Sequence, residues 1–333
     1  MGRVFNKKQS PYIIKNKMNY TELRDKIKGP VCSIITPFLE NDDIDYDSLE
    51  KSIHRIYDGG GRIFYVMGYN SRYSELSWDE IKDLNAFVTR KVKEIDSENI
   101  VIVADPLHCS TKVSAEFAQH AKSCGADIIS IICREKYYSD DQIFAHFDYI
   151  SKASDIGILI HEMPFLNGFG GPAVNYTLEL LDRLADIPSV VALKEDAKDD
   201  EFSKKVVELV KDRAAIVISG GGKRQWLRFA DIGCQAWLNG IGVFDPRLCV
   251  KFYEYYKAGN KAAYMAIINE VEVPFFEEVV QKYSWHLGIK AALEAVGTMK
   301  RHERLPMLAL SDEKYQAVEK LIKSLPIEDV LNQ

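Results

Sequence analysis

No stretch of the 333-residue chain approaches the roughly 20 consecutive apolar residues that a membrane-spanning helix needs. Residues 1–20 scatter charge throughout and lack the apolar centre of a signal peptide, so a cytoplasmic protein is expected. The cysteines (Cys32, Cys109, Cys124, Cys133, Cys234, Cys249) lie far apart without a Cys-x-x-Cys pair, which argues against a zinc site or a disulfide framework and for reduced thiols. The histidines also lack ligand spacing, so neither metal nor cofactor is expected. A surplus of positive charge is missing too. With net charge −6 and pI near 5.7 there is no basic field for a phosphate backbone, and the Lys7, Lys8, Lys15, Lys17 stretch reads as a solvated arm.

What is present is a core-forming composition, 47% hydrophobic and 28% charged, in which short β-branched runs alternate with helical patterns. Strand candidates begin near Val31, Arg62, Ile100, Asp127, Gly157, Val190, Ala215 and Ala236, about 29 residues apart on average, the size of one strand-plus-helix unit. Helical periodicity occupies the gaps: Asp47–Tyr57, Trp78–Lys93, Ser110–Ser123, Asp140–Ser154, Asn175–Ala185, Asp200–Lys211, Lys223–Ala230 and Pro246–Ala258. The pattern predicts an α/β fold, a (β/α)8 TIM barrel with a C-terminal helical extension. Residues 1–26 are read as an N-terminal extension, 27–258 as the catalytic barrel, and 259–333 as helices packed beside it, ending in an amphipathic helix over Glu313–Ser324.

Barrel active sites gather at the carboxyl ends of strands. In Val190-Val191-Ala192-Leu193-Lys194 the two-residue period puts Val190, Ala192 and Lys194 inward, with Val191 and Leu193 toward the helices. In Gly157–His161 it puts Leu159 and His161 inward on the neighbouring strand. A lysine among apolar walls loses hydration of its ammonium form, and the freed amine can attack a carbonyl to form a Schiff base. The blander alternatives are a lysine that reaches solvent or pairs with Glu195 or Asp196, and a purely structural histidine.

At Val190–Glu195 the chain resembles the dihydrodipicolinate synthase/N-acetylneuraminate lyase family of class I aldolases. The shared features run in order over roughly residues 27–325: Ile35-Thr36-Pro37-Phe38, Gly68 with Leu76-Ser77-Trp78-Asp79-Glu80, Ser139 to His146-Phe147, Pro164 and Gly168, Leu193-Lys194-Glu195, Ser219-Gly220, and Gly288-Ile289-Lys290. The resemblance implies that Lys194 is the Schiff-base lysine, that a 2-oxo acid is the substrate, and that Thr36, Gly68, Ser219, Gly220, Gly240 and Ile241 surround it. It also implies a homo-oligomer, commonly a tetramer.

The departures from the family pattern bear on the substrate. Where the family reads Gly-Thr-Thr-Gly-Glu, with threonines that hold the substrate carboxylate, this chain has Gly68-Tyr69-Asn70-Ser71-Arg72. Asn70 and Ser71 are expected to donate to that carboxylate, with Arg72 as a cation suited to it. His161 stands in place of the proton-relaying tyrosine. Cys133-Arg134-Glu135 replaces the Pro-Tyr-Tyr segment, leaving Tyr137, Tyr138 or Glu135 as substitutes. The synthase's arginine for its second substrate falls at Leu166, and the acidic sugar-binding residues of sialic acid lyases fall at Gly221 and Gly222. The reading is therefore a Schiff-base aldolase or dehydratase acting on a 2-oxo acid such as pyruvate or a 3-deoxy-2-oxo sugar acid, and neither of those two enzymes proper. The competing reading is a non-catalytic barrel that binds a metabolite. The glycines at Ser219–Gly222 and Asn239–Gly242 additionally suit either tight turns or a phosphate.

Overall fold

The computed structural model describes residues 19–133, 138–162, 175–197, 199–219 and 222–333. Its strands are β1 (Gly29–Ser33), β2 (Ile63–Tyr65), β3 (Ile100–Ala104), β4 (Ile128–Ile131), β5 (Gly157–His161), β6 (Val190–Glu195), β7 (Ala215–Ile218) and β8 (Ala236–Leu238). They pair in parallel in sequence order, and β8 closes onto β1 to form a barrel. The helices between them are α2 (Tyr46–Asp58), α3 (Trp78–Ile95), α4 (Thr111–Cys124), α5 (Asp140–Ala153), α6 (Leu178–Ala185), α7 (Asp200–Val210), α8 (Gly222–Trp226) and α9 (Pro246–Lys257). Caps account for several of the boundaries. Ser77 and Glu80 form a reciprocal capping box on α3, Ser139 and Gln142 do the same on α5, and the Thr177 side chain starts α6 by accepting from the Leu180 amide. The α6 cap sits two residues inside the span that periodicity suggested.

Before the barrel lies a helix that periodicity did not reveal, α1 (Tyr20–Lys26), opened by Asn19 accepting from the Glu22 amide. Leu23 and Ile27 join the residues that fill the barrel interior, so this turn of helix plugs the amino-terminal end. Gly157 makes the plug possible: a Cβ there would lie 2.9 Å from the Leu23 side chain and 3.1 Å from the Asp127 carbonyl.

The inward parity expected for β6 holds only from Ala192 onward. Ile158 pairs with Val190 but Leu159 pairs with Ala192, and this irregularity turns Val191 into the inner core and Val190 into the outer one. His161 and Lys194 are register partners beyond the irregularity, side by side at the carboxyl end.

After α9 the chain continues as α10 (Lys261–Ala266), α11 (Val273–Phe275) and α12 (Gln281–Tyr283), interleaved with π-helical turns at Ile267–Glu272 and Phe276–Val280. Then follow α13 (Trp285–Ala295), α14 (Asp312–Ser324) and α15 (Ile327–Leu331). α13 packs on α14, and α15 returns to α9. No helix among the described residues is long and apolar enough to cross a membrane.

Candidate active site

Lys194, at the carboxyl end of β6, is 1% exposed, and its Nζ lies 2.8 Å from Nε2 of His161 and 2.9 Å from Oδ2 of Asp196. Strand alternation sorts the two acids that follow the lysine. Glu195 turns outward, where its carboxylate accepts from the Ser203 hydroxyl at 2.6 Å and the Ala197 amide at 2.8 Å. Asp196 turns back to Lys194. The resting lysine is therefore an ion-paired group rather than an amine enclosed by apolar walls alone, and it must lose a proton before it can attack a carbonyl. His161 is within reach of that proton.

Behind His161 a hydroxyl pair continues inward. Tyr65 on β2 has its phenol 3.5 Å from His161 Nδ1 and 2.6 Å from the Ser130 hydroxyl on β4. Burial pushes the Tyr65 phenol well above its ordinary pKa, so it stays protonated. Tyr69 brings its ring edge-on to the imidazole, centroids 6.4 Å apart.

The β2–α3 turn is built differently from the expectation. The Ser71 hydroxyl donates to the Ile34 carbonyl and the Thr36 hydroxyl to the Ser71 carbonyl, both at 2.7 Å and both buried. These two hydroxyls fasten the turn to the end of β1 and are not available to a substrate. Asn70 accepts from the Trp285 indole at 3.1 Å.

Arg72 is the clearest correction. Its guanidinium is fully buried away from solvent, 2.7 Å from Glu303, and also donates to the carbonyls of Asn70 and His286. A fork with those partners cannot receive a substrate carboxylate. The residue has φ +62°, a left-handed conformation held in place by these contacts.

Gly68 lies under Leu107: a Cβ would stand 3.0 Å from that side chain, which would have to shift to admit it. Ser219 follows β7, its amide donating to the Glu195 carbonyl. The Ile241 side chain is fully buried in the outer core, so any contact it makes with a ligand is through its backbone. At Gly240, φ +53°, the nearest outside group is the Glu272 carboxylate, which also pairs at 2.5 Å with fully buried Lys223. A protein anion thus already occupies the neighbourhood considered for phosphate. Tyr138 is 40% exposed. Glu135, Gly220 and Gly221, and with them Arg134, Tyr137, Pro164, Leu166 and Gly168, lie outside the described residues.

Asp105, just past β3, went unnoticed in the sequence. It is buried, accepts from the Ser114 hydroxyl at 2.6 Å and the Cys109 thiol at 3.6 Å, and burial pushes its carboxyl up to about 7. Between about pH 4 and 7 the folded chain then holds a proton that the unfolded chain has released, so this group's contribution to stability falls as pH rises through that window. Asp105→Asn is expected to flatten the decline. Melting curves of wild type and variant that stay parallel from pH 4 to 7.5 would refute it.

The sequence model of the dihydrodipicolinate synthetase family matches residues 26–325. The chain belongs to this family. Curated relatives include the 4-hydroxy-tetrahydrodipicolinate synthases of Clostridium perfringens, 26% identical over 307 residues (89% of this chain, 98% of the relative), and of Thermotoga petrophila, 23% identical over 301 residues (89% and 98%). Among solved structures, the dihydrodipicolinate synthase of Oceanobacillus iheyensis superposes with TM-score 0.79 at 21% identity, covering 92% of this chain and 99% of that one. A prophage protein of the family from E. coli K12, solved in complex with pyruvate, gives 0.78 at 17% identity, covering 89% and 97%. The TIM-barrel fold and the lyase class follow from this membership.

Proposed function

We propose that the chain is a Schiff-base lyase for a small 2-oxo acid, with pyruvate or a 3-deoxy-2-oxo sugar acid as the expected class. The observation that carries this reading is the buried Lys194 amine at the barrel mouth, within hydrogen-bond distance of both a histidine and a carboxylate. In the proposed chemistry the lysine passes a proton to His161 and adds through Nζ to the C2 carbonyl. Loss of water leaves a positively charged iminium, and Asp196, already at ion-pair distance, is its counter-ion. The iminium accepts the electron pair released when a bond to C3 or the C3–C4 bond breaks, and His161 takes or returns the proton. With the Thr36 and Ser71 hydroxyls committed, and the Ser71 and Arg72 amides donating to the Met67 and Tyr69 carbonyls, the main chain at Tyr69 and Asn70 is the proposed seat of the substrate carboxylate.

Support comes from the conjunction of fold, family and this cluster, and the protein named in complex with pyruvate adds the candidate ligand. Lys194 and His161 are the proposed catalytic residues, and Asp196 joins them. The test is borohydride reduction in the presence of pyruvate, followed by peptide mapping. One adduct on Lys194 is expected. An adduct on another lysine, or no adduct with any 2-oxo acid, would overturn the reading and favour a barrel that only binds a metabolite.

A further inference from the structure

Lys194 as an ammonium group can only donate, so at 2.8 Å it requires His161 Nε2 to be an acceptor. The remaining proton of the neutral ring then sits on Nδ1, which faces the Tyr65 oxygen, and the Tyr65 hydroxyl in turn has Ser130 at 2.6 Å. With that tautomer the row runs from Nδ1–H to the Tyr65 oxygen and from the Tyr65 hydroxyl to the Ser130 oxygen. From this row of contacts we infer that Tyr65 and Ser130 are positioning residues that hold His161 in the tautomer whose Nε2 is the base, and that stabilise the imidazolium formed when it takes a proton. The inference rests on the Schiff-base reading above and extends it to two residues on β2 and β4, strands that carry neither Lys194 nor His161.

The step they serve balances as follows. The C3–H bond of the iminium breaks, its electron pair becomes the C2=C3 bond of an enamine, and the former C=N pair stays on nitrogen. The proton goes to His161 Nε2, so one positive charge moves from the iminium to the imidazole ring. A hydrogen bond from a charged donor is stronger than one from a neutral donor, so the Tyr65 oxygen favours the product of this step over its reactant state. Burial keeps the phenol itself protonated throughout, so it accepts on one side while donating on the other. Among the described residues, the charged or titratable groups near the ring include Lys194 from β6, Asp196 just after it, Tyr65 from β2 and Tyr69 from the turn that follows. Asp105 after β3 acts electrostatically on Tyr65.

Exchange of the pyruvate methyl protons for solvent deuterium, followed by NMR, reports this step without knowledge of the full substrate. Tyr65→Phe is expected to slow exchange roughly tenfold to a hundredfold and to move the acid limb of the rate profile to lower pH, because the imidazolium has lost its acceptor. Borohydride trapping at Lys194 should persist at saturating pyruvate. Ser130→Ala should act in the same direction and less strongly, and Ser130→Thr, which restores the hydroxyl, should recover the rate and the limb. A Tyr65→Phe enzyme with wild-type exchange and an unmoved acid limb overturns the inference. So do Ser130→Ala and Ser130→Thr enzymes that behave alike, a comparison that stands even if Tyr65→Phe does not fold. A wild-type protein that neither traps pyruvate nor exchanges its protons removes the Schiff-base reading itself, which is a separate result.

Discussion

Replacing Lys194 with alanine should eliminate both turnover and the borohydride adduct, with the rate falling on the order of 10⁴-fold or more, as expected when a nucleophile is removed. Lys194 contributes the one nitrogen of the cluster that can become an iminium. His161 and Asp196 remain in the variant and can still order a ligand, but they cannot make a bond to C2 that is later released by hydrolysis. The alanine variant leaves Asp196 without its 2.9 Å partner, so some loss of stability is expected alongside. Lys194→Arg separates the two effects. Arginine keeps a cation beside Asp196 and carries no amine that condenses with a ketone, so it should fold like wild type and still form no adduct. Residual wild-type activity in the alanine variant, or an adduct in the arginine variant, would move the chemistry to another lysine.

The scaffold was readable because each strand is a short apolar run of its own, and the period-two rule then fixed which end-of-strand side chains face the axis. It placed Lys194 and His161 correctly and failed at Val190 and Val191, where one unpaired residue shifts the register of β6 against β5. No local sequence signal marks that irregularity, which brings Val191 inward beside Gly157, where a Cβ would stand 3.1 Å from the Val191 side chain. Other omissions were legible in principle. Tyr65 occupies an inward position in the run Arg62-Ile63-Phe64-Tyr65-Val66-Met67, and Ser130 is the one hydroxyl in Asp127-Ile128-Ile129-Ser130-Ile131-Ile132. A polar atom at an inward strand position needs a partner, and searching for such positions would have paired the two. Asp196 shares Lys194's parity two residues on, which is why its carboxylate comes back to the lysine.

Arg72 could not have been read correctly from its neighbourhood in sequence, since its carboxylate partner lies 231 residues away. The resemblance puts a glutamate at this position, and this chain has the opposite charge there with Glu303 facing it. Held by Glu303, Arg72 is an anchor and not the ligand contact expected of it. It joins the turn after β2 to the C-terminal helices, which is why the extension belongs to the architecture of the site and not only to the outer packing.

Glu303→Gln is the substitution that should expose this anchor. One buried carboxylate serves two buried cations, Arg72 at 2.7 Å and Lys290 at 3.2 Å, and Lys290 also donates to the Thr36 carbonyl at 2.8 Å. Burial lowers the Lys290 pKa to about 8, with Arg72 adding to the effect and Glu303 opposing it. Removing the carboxylate charge leaves the cations facing each other, and breaking a buried pair in this way typically costs about 3–5 kcal/mol. Lys290 can relieve part of that cost by giving up its proton. Lys290→Met in the same background should therefore recover stability, making the two changes non-additive. The sign with pH follows from the lysine: its folded pKa lies below the unfolded value, so wild-type stability gains from this group as pH rises from about 8 toward 10.5. In Glu303→Gln that gain should begin at lower pH. Since Ser71 and Thr36 are fastened to the same turn, KM for the 2-oxo acid should rise while saturating pyruvate still labels Lys194. A Glu303→Gln protein that melts like wild type, or strict additivity with Lys290→Met, would show that the three charges do not act as one anchor.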